Sequence, residues 1–242
     1  MPAFLETQST SSTPMQYRSL FPLLFVLLIG FSAHAQQGQR QIGSARTTDS
    51  NAGQAVGIFS HSGDVGDANG LDGSVQFDVA TKTYTLKGSG ANIWGAQDAF
   101  FFIYIPIDGK FEMSAHQTLM NEGTDGHRKA GIMFRETLDE DSPCILITVH
   151  GDGLTSLQCR EKKAGPMTTD NYVPDDPSPK FVSLERNENK FIVQIGKNNV
   201  DPTMKKEHEF KIGMKGYVGL FVCSHDADAY ERATFKEVNF KQ

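Results

Sequence analysis

Hydrophobic positions along this chain fall into short runs with a period of two, bounded by Gly, Pro, Asn and Asp, which is the pattern of β-strands joined by turns. Asp98–Pro106 is dense in aromatic and β-branched residues, and its unbroken apolar stretch from Phe100 to Ile105 predicts a strand buried on both faces. The next run, Lys110–Leu119, instead alternates Phe111, Met113 and Ala115 with polar neighbours, which predicts one wet face. Further strands are predicted over Ser74–Val79, Thr83–Gly88, Arg128–Thr137, Cys144–His150, Leu154–Glu161, Lys180–Arg186, Phe191–Lys197, Glu207–Ile212, Tyr217–Ser224 and Ala233–Phe240. No segment reads as a helix. The pattern implies an all-β fold, a two-sheet antiparallel β-sandwich of the jelly-roll kind. Ala164–Pro179 carries Pro166, Pro174, Pro177 and Pro179 and is expected to be a long irregular surface loop.

The N-terminal pattern differs. A basic start at Met15–Arg18, an apolar core at Leu20–Phe31 and an Ala33-His34-Ala35 site before Gln36 have the order of a secretory signal, so residues 1–35 are expected to be removed. Translation is expected to start at Met15, because residues 1–14 precede the basic residue of that signal. The apolar core is shorter than the ~20 residues of a membrane span and is interrupted by Pro22 and Gly30. Residues 36–55 are poor in apolar side chains and read as a flexible leader, which leaves residues 56–242 as one sandwich domain. A secreted or periplasmic location follows as an expectation.

Charge narrows the partners. The chain carries a net charge of −6, and removal of residues 1–35 takes away one acid and one base, leaving that balance unchanged. Scattered Lys and Arg in an acidic chain give no footprint for nucleic acid or anionic lipid. Three cysteines, Cys144, Cys159 and Cys223, leave at least one thiol unpaired. A two-residue Gly151-Asp152 turn would set Cys144 and Cys159 opposite each other for a cross-strand disulfide; three buried apolar thiols are the equal alternative.

Candidate chemistry lies in three places. The loop HSGDVGDANGLDGS places Asp64, Asp67, Asn69 and Asp72 among glycines, and hard oxygen donors on a tight loop suit structural calcium, whereas the same residues also make plain turns. Trp94, with Asn92 and Asp98 nearby, is either a sugar-stacking platform or a plug at the sandwich end. Arg135, Arg160, Arg186 and His150 fall at polar strand positions and are expected to share a sheet face with Glu112 and Gln158, either as a ligand surface or as cross-strand ion pairs. For enzymatic chemistry the signals are weak. The acidic run Glu136–Asp141 sits in a turn before Ser142-Pro143, no Gly-x-Ser-x-Gly occurs, and His61, His116, His127, His150, His208 and His225 show no metal-ligand spacing.

The segments GSGANIWGAQDAFFFIY (88–104), KAGIMFRETL (129–138), GLFVCSH (219–225) and ATFKEVNF (233–240), with the Gly109–Phe111 strand start, resemble the concanavalin A-like lectin/glucanase superfamily. They are most similar to its small secreted bacterial jelly-roll domains, some of which carry the label "regulation of enolase". The resemblance implies the sandwich over nearly all of residues 56–240, and a polysaccharide or other glycan as ligand. Two family features are missing. The Glu-x-Asp-x-x-Glu strand of the glucanases does not occur, and a family hairpin ending in Trp is replaced by QIGKNNVDPTM (194–204). The expected function is therefore a secreted, non-catalytic, carbohydrate-binding domain. A glycoside-active enzyme with an unrecognised carboxylate pair and a structural or protein-interaction domain of the envelope are the alternatives, and oligomeric state is left open.

Overall fold

A computed structural model describes residues 47–51, 55–120, 123, 125–172, 181–197 and 202–242. The signal segment, residues 36–46 of the leader and residues 198–201 of the substituted hairpin lie outside the described residues.

The strands are β1 (Thr47–Asn51), β2 (His61–Val65), β3 (Ser74–Asp78), β4 (Thr83–Gly90), β5 (Ile93–Trp94), β6 (Gln97–Asp98), β7 (Phe100–Asp108), β8 (Phe111–Leu119) and β9 (Lys129–Arg135). They continue with β10 (Cys144–His150), β11 (Thr155–Arg160), β12 (Thr168–Tyr172), β13 (Phe181–Asn187), β14 (Lys190–Gly196), β15 (Pro202–Glu209), β16 (Lys215–Cys223) and β17 (Asp226–Lys241). An eight-stranded sheet runs β1-β3-β4-β17-β8-β13-β14-β15, and a seven-stranded sheet runs β12-β11-β10-β9-β16-β7-β2. Every pairing is antiparallel. The two-sheet sandwich implied by the sequence pattern and by the superfamily resemblance is the fold of the chain. No helix among the described residues is long and apolar enough to cross a membrane.

The main core lies between the sheets, where Leu86, Phe101, Ile103, Met113, Ile132, Phe134, Ile147, Val182, Leu184, Val193, Leu220 and Phe235 are fully buried. A second apolar cluster, with Phe100, Phe102, Met133, Leu146 and Phe221, covers the other face of the seven-stranded sheet. Alternate residues of β7 feed the two clusters, which is why its sequence reads as one apolar run. On β8 the alternation instead leaves Glu112 and His116 half-buried.

Three segments depart from the sequence reading. Thr47–Asn51, placed in the leader, pairs with Ser74–Asp78, because a sheet edge recruits backbone N–H and C=O groups without requiring apolar side chains. Thr168–Tyr172, placed in the irregular loop, pairs with β11 as an edge strand lying between Pro166 and the prolines further on. The β10–β11 connection runs through Gly151, Asp152, Gly153 and Leu154, with Val149 opposite Thr155. That register sets Cys144 against Arg160 and Ile145 against Cys159, so the two cysteines point to opposite faces. Cys144, Cys159 and Cys223 are free and buried.

Candidate functional site

The outer face of the seven-stranded sheet carries the site. Alternation on β9 sends Lys129, Met133 and Arg135 outward, away from the intersheet core. Register then sets His150 beside Lys129, Leu146 beside Met133, and Cys144 beside Arg135. On β11 the same rows continue with Arg160 opposite Cys144 and Gln158 opposite Leu146. One face thus has an arginine end and a lysine-histidine end.

The arginine end is closed by the β5–β6 hairpin. Its tight turn uses Gly95 at φ +66°, a conformation that favours glycine. Asp98 on β6 is fully buried between two arginines. Arg160 grips its carboxylate twice, Nη2 to Oδ1 at 2.6 Å and Nη1 to Oδ2 at 2.8 Å, and Arg135 Nη1 approaches Oδ2 at 3.4 Å. The remaining guanidinium donors go to the backbone carbonyls of Gly95, Ser142, Thr137 and Asp139. Arg135 and Arg160 do lie on this face, as expected, but both are 0% exposed and fully engaged, so they hold the hairpin and offer nothing to a ligand. Beneath the hairpin, Gly90 (φ +125°) passes so close to the chain that a Cβ there would lie 1.9 Å from the Ala99 carbonyl oxygen.

The hairpin sends its two β5 side chains in opposite directions. Ile93 is buried in the outer cluster, while Trp94 is 43% exposed at the rim. Trp94 is therefore a surface aromatic and not the plug that was the alternative reading.

Beside Trp94 opens a cavity of about 260 Å³ lined by Asn92, His127, Lys129, His150, Gln158 and His225, with Leu154, Thr169 and Asn171 at its margin. Lys129 is 2% exposed, and its Nζ donates to Asn92 Oδ1 at 2.9 Å. Burial holds its pKa below the usual lysine value. His150 is 5% exposed and is pushed down to about 4, first by burial and then by the Lys129 charge, so it is neutral at pH 7. Gln158 Nε2 donates to Ser156 Oγ at 3.0 Å, and His150 Nε2 lies 3.3 Å from the same hydroxyl. Among the described residues, His150 Nδ1 and Gln158 Oε1 are buried without a partner. His127 stands between His150 and His225, with ring centroids 6.1 and 5.4 Å away. Asp125 Oδ2 faces the ring of the lining residue His225, at 3.4 Å from Nδ1.

The sequence pointed to His150, Asn92, Trp94 and Gln158, and the fold brings these four together. It missed Lys129, His127 and His225. Lys129 was legible from alternation on β9, but His127 and His225 precede β9 and follow β16, strands far apart in the chain and adjacent in the sheet. Arg186 and Glu112 belong to the other sheet. Arg186 stacks on Phe134 and Phe191 of the core and donates to the carbonyls of Glu188, Gly213 and Ile212.

The acidic loop does not gather its oxygens. Asp64 lies on β2, where its Oδ2 accepts from the Gly73 amide at 2.9 Å and its Oδ1 is buried without a partner. Asp67 caps the amide of Asn69 at 2.7 Å, Asn69 Nδ2 donates to Asp228 Oδ1 at 2.7 Å, and Asp72 offers its carbonyl to the Tyr230 hydroxyl at 3.4 Å. Among the described residues no three His, Cys, Asp or Glu side chains are arranged to hold a metal ion. The bonds these loop residues make are turn and capping bonds. Burial also raises the thiols of Cys144 and Cys223 to about 12 and about 11, which removes them as nucleophiles.

No protein-family model and no curated protein matches the chain. Among solved structures, the chain is similar to a functionally unknown protein from Saccharomyces cerevisiae, with a TM-score of 0.55 and 15% identity over 73% of this chain and 98% of that one. It is also similar to the carbohydrate-binding module CBM66 from Bacillus subtilis, with a TM-score of 0.49 and 15% identity over 79% of this chain and 97% of the module. A family 7 alginate lyase follows at a TM-score of 0.49 and 12% identity over 74% and 91%. At such identities the likeness is one of fold.

Proposed function

We propose that this chain is a secreted, non-catalytic domain that binds carbohydrate in the cavity beside Trp94. The observation that carries the reading is the pair of buried, unpartnered polar atoms, His150 Nδ1 and Gln158 Oε1, on residues that line a cavity with an exposed aromatic at its rim. Buried polar groups are ordinarily satisfied, and a sugar hydroxyl is donor and acceptor at once, so it answers an imidazole nitrogen and an amide oxygen together. An aromatic face beside such groups takes the apolar side of a pyranose ring. The cavity is slightly smaller than the roughly 300–1,000 Å³ of a site for a drug-sized ligand. That size suits one ring of a longer chain.

Non-catalytic binding is favoured over hydrolysis because the cavity lining contains no carboxylate, whereas glycosidases place a pair of them across the scissile bond. The test is a glycan-array screen of the purified protein, with and without calcium, beside its Trp94→Ala variant. Binding of one glycan class that is lost in the variant supports the proposal. A well-folded protein that binds nothing on the array passes the function to an envelope structural role, and release of shortened glycans passes it to an enzyme. Export is tested by mass spectrometry of material collected outside the cytoplasm, where the N-terminus is expected at Gln36.

A further inference from the structure

The cavity contains a cation without a counter-ion. Lys129 is 2% exposed, and among the described residues its ammonium has Asn92 Oδ1 as its hydrogen-bond partner and no ion pair. Asp98 would be an anion for it, but both oxygens of that carboxylate are held by Arg160 and one of them also by Arg135. The other nearby carboxylate, Asp125, is directed to His225 and to the backbone amide of His127. The residues lining the cavity are otherwise three histidines, amides, a threonine, a leucine and Trp94, and none is acidic.

Buried charges are ordinarily paired, because the loss of hydration on removing an ammonium from water is offset only by an opposite charge and further hydrogen bonds. Lys129 has three N–H donors and one acceptor within reach, so its environment is completed only by a group that brings negative charge into the cavity. His127 and His225 beside it add ring nitrogens to the lining. A neutral sugar would satisfy Gln158 and His150 but leave the ammonium unpaired.

We infer that the ring held in this cavity bears an anionic substituent, a carboxylate or a sulfate, which docks against Lys129 with Asn92 as its positioning neighbour. The inference rests on the carbohydrate reading and narrows it to acidic polysaccharides. Trp94 lines both this cavity and a second depression whose lining carries Asp67, Asp98, Glu140 and Asp228, so the Lys129 side is the one that takes the charged substituent.

Calorimetric titration of the full chain separates the two claims. The probes are oligogalacturonate, its methyl ester, a sulfated galactan oligosaccharide, and the desulfated form of that oligosaccharide. An anionic probe should bind at least about tenfold tighter than its own neutral form, and added salt should narrow that margin. Whichever anion shows the margin, carboxylate or sulfate, identifies the substituent. Lys129→Met should erase the margin while thermal unfolding shows the variant folded. Equal binding of the anionic and neutral forms overturns the inference and leaves the carbohydrate reading standing. Binding of none of the four probes, when the array has found another ligand that is neutral, also overturns it. An array that finds no glycan at all defeats the carbohydrate reading itself. Should Lys129→Met not fold, the comparison of charged and neutral probes on the unaltered protein still decides.

Discussion

Two ends of one sheet face show opposite uses of buried polar groups. At the Arg135–Asp98–Arg160 end the carboxylate is held by both arginines, the other guanidinium donors reach backbone carbonyls, and the side chains are 0% exposed. At the Lys129–His150–Gln158 end, buried residues leave, among the described residues, an ammonium without an anion and two acceptor or donor atoms without partners, beside an open cavity. The difference separates a network that closes on itself from one that needs another molecule to close it. Burial alone would have ranked the two alike; the state of their hydrogen bonds tells them apart.

The sharpest break in the comparison is Asp98→Ala. It leaves two buried guanidinium groups facing each other and should cost about 3–5 kcal/mol of stability in chemical denaturation, since truncating one partner strands a buried charge. A loss well under 1 kcal/mol would show that this end is not a structural clamp. Next in size is the pH response of the other end. The His150 imidazole has a folded pKa of about 4 against an ordinary 6.5, so between these values the unfolded chain binds the proton and the folded chain does not. Its neutral burial therefore costs nothing above about pH 6.5 and up to about 3 kcal/mol near pH 4. Unfolding curves across that window should steepen with acid, and His150→Gln should flatten them; parallel curves would contradict the buried neutral imidazole.

Binding effects follow. Trp94→Ala should weaken the glycan found on the array by about 2 kcal/mol with little change in melting temperature, because an exposed rim aromatic contributes to a ligand more than to the core. Asp98→Ala, if it folds, should weaken binding only through displacement of the hairpin. Smallest is the stability effect of Gln158→Leu, expected within about 1 kcal/mol of the unaltered protein, since the bond lost, Nε2 to Ser156 Oγ, is set against removal of a buried amide oxygen that has no partner among the described residues. A loss of several kcal/mol would mean that Gln158 belongs with the closed network after all.

Much of the fold was legible because the sandwich rests on period-two alternation, and the double-sided burial of β7 was written in its unbroken aromatic run. What escaped was local. β12 and β1 are edge strands with polar side chains, whose pairing depends on a neighbouring backbone and not on their own pattern. The Cys144–Cys159 facing failed on turn length, because one residue of register reverses every side chain. In the site, Arg135, Arg160 and His150 were correctly placed on one face, but a single sequence does not tell a guanidinium that grips Asp98 from one that waits for a ligand. His127 and His225 lie just outside their strands, so alternation could not place them. Asp64, Asp67, Asn69 and Asp72 looked alike in the sequence, but each makes its own contact: Asp64 holds the Gly73 amide, Asp67 caps Asn69, Asn69 reaches Asp228, and the Asp72 carbonyl accepts from Tyr230.

Trp94 is the only tryptophan in the chain, so selectively excited tryptophan emission reads the rim of the cavity alone. Titrating the protein with the array-selected oligosaccharide should give a saturable change in emission and protect the indole from acrylamide quenching, with the same midpoint as calorimetry. Calorimetric binding with unchanged Trp94 emission and unchanged quenching would place the ligand elsewhere and contradict the assignment of the Lys129–His150–Gln158 end as the binding site.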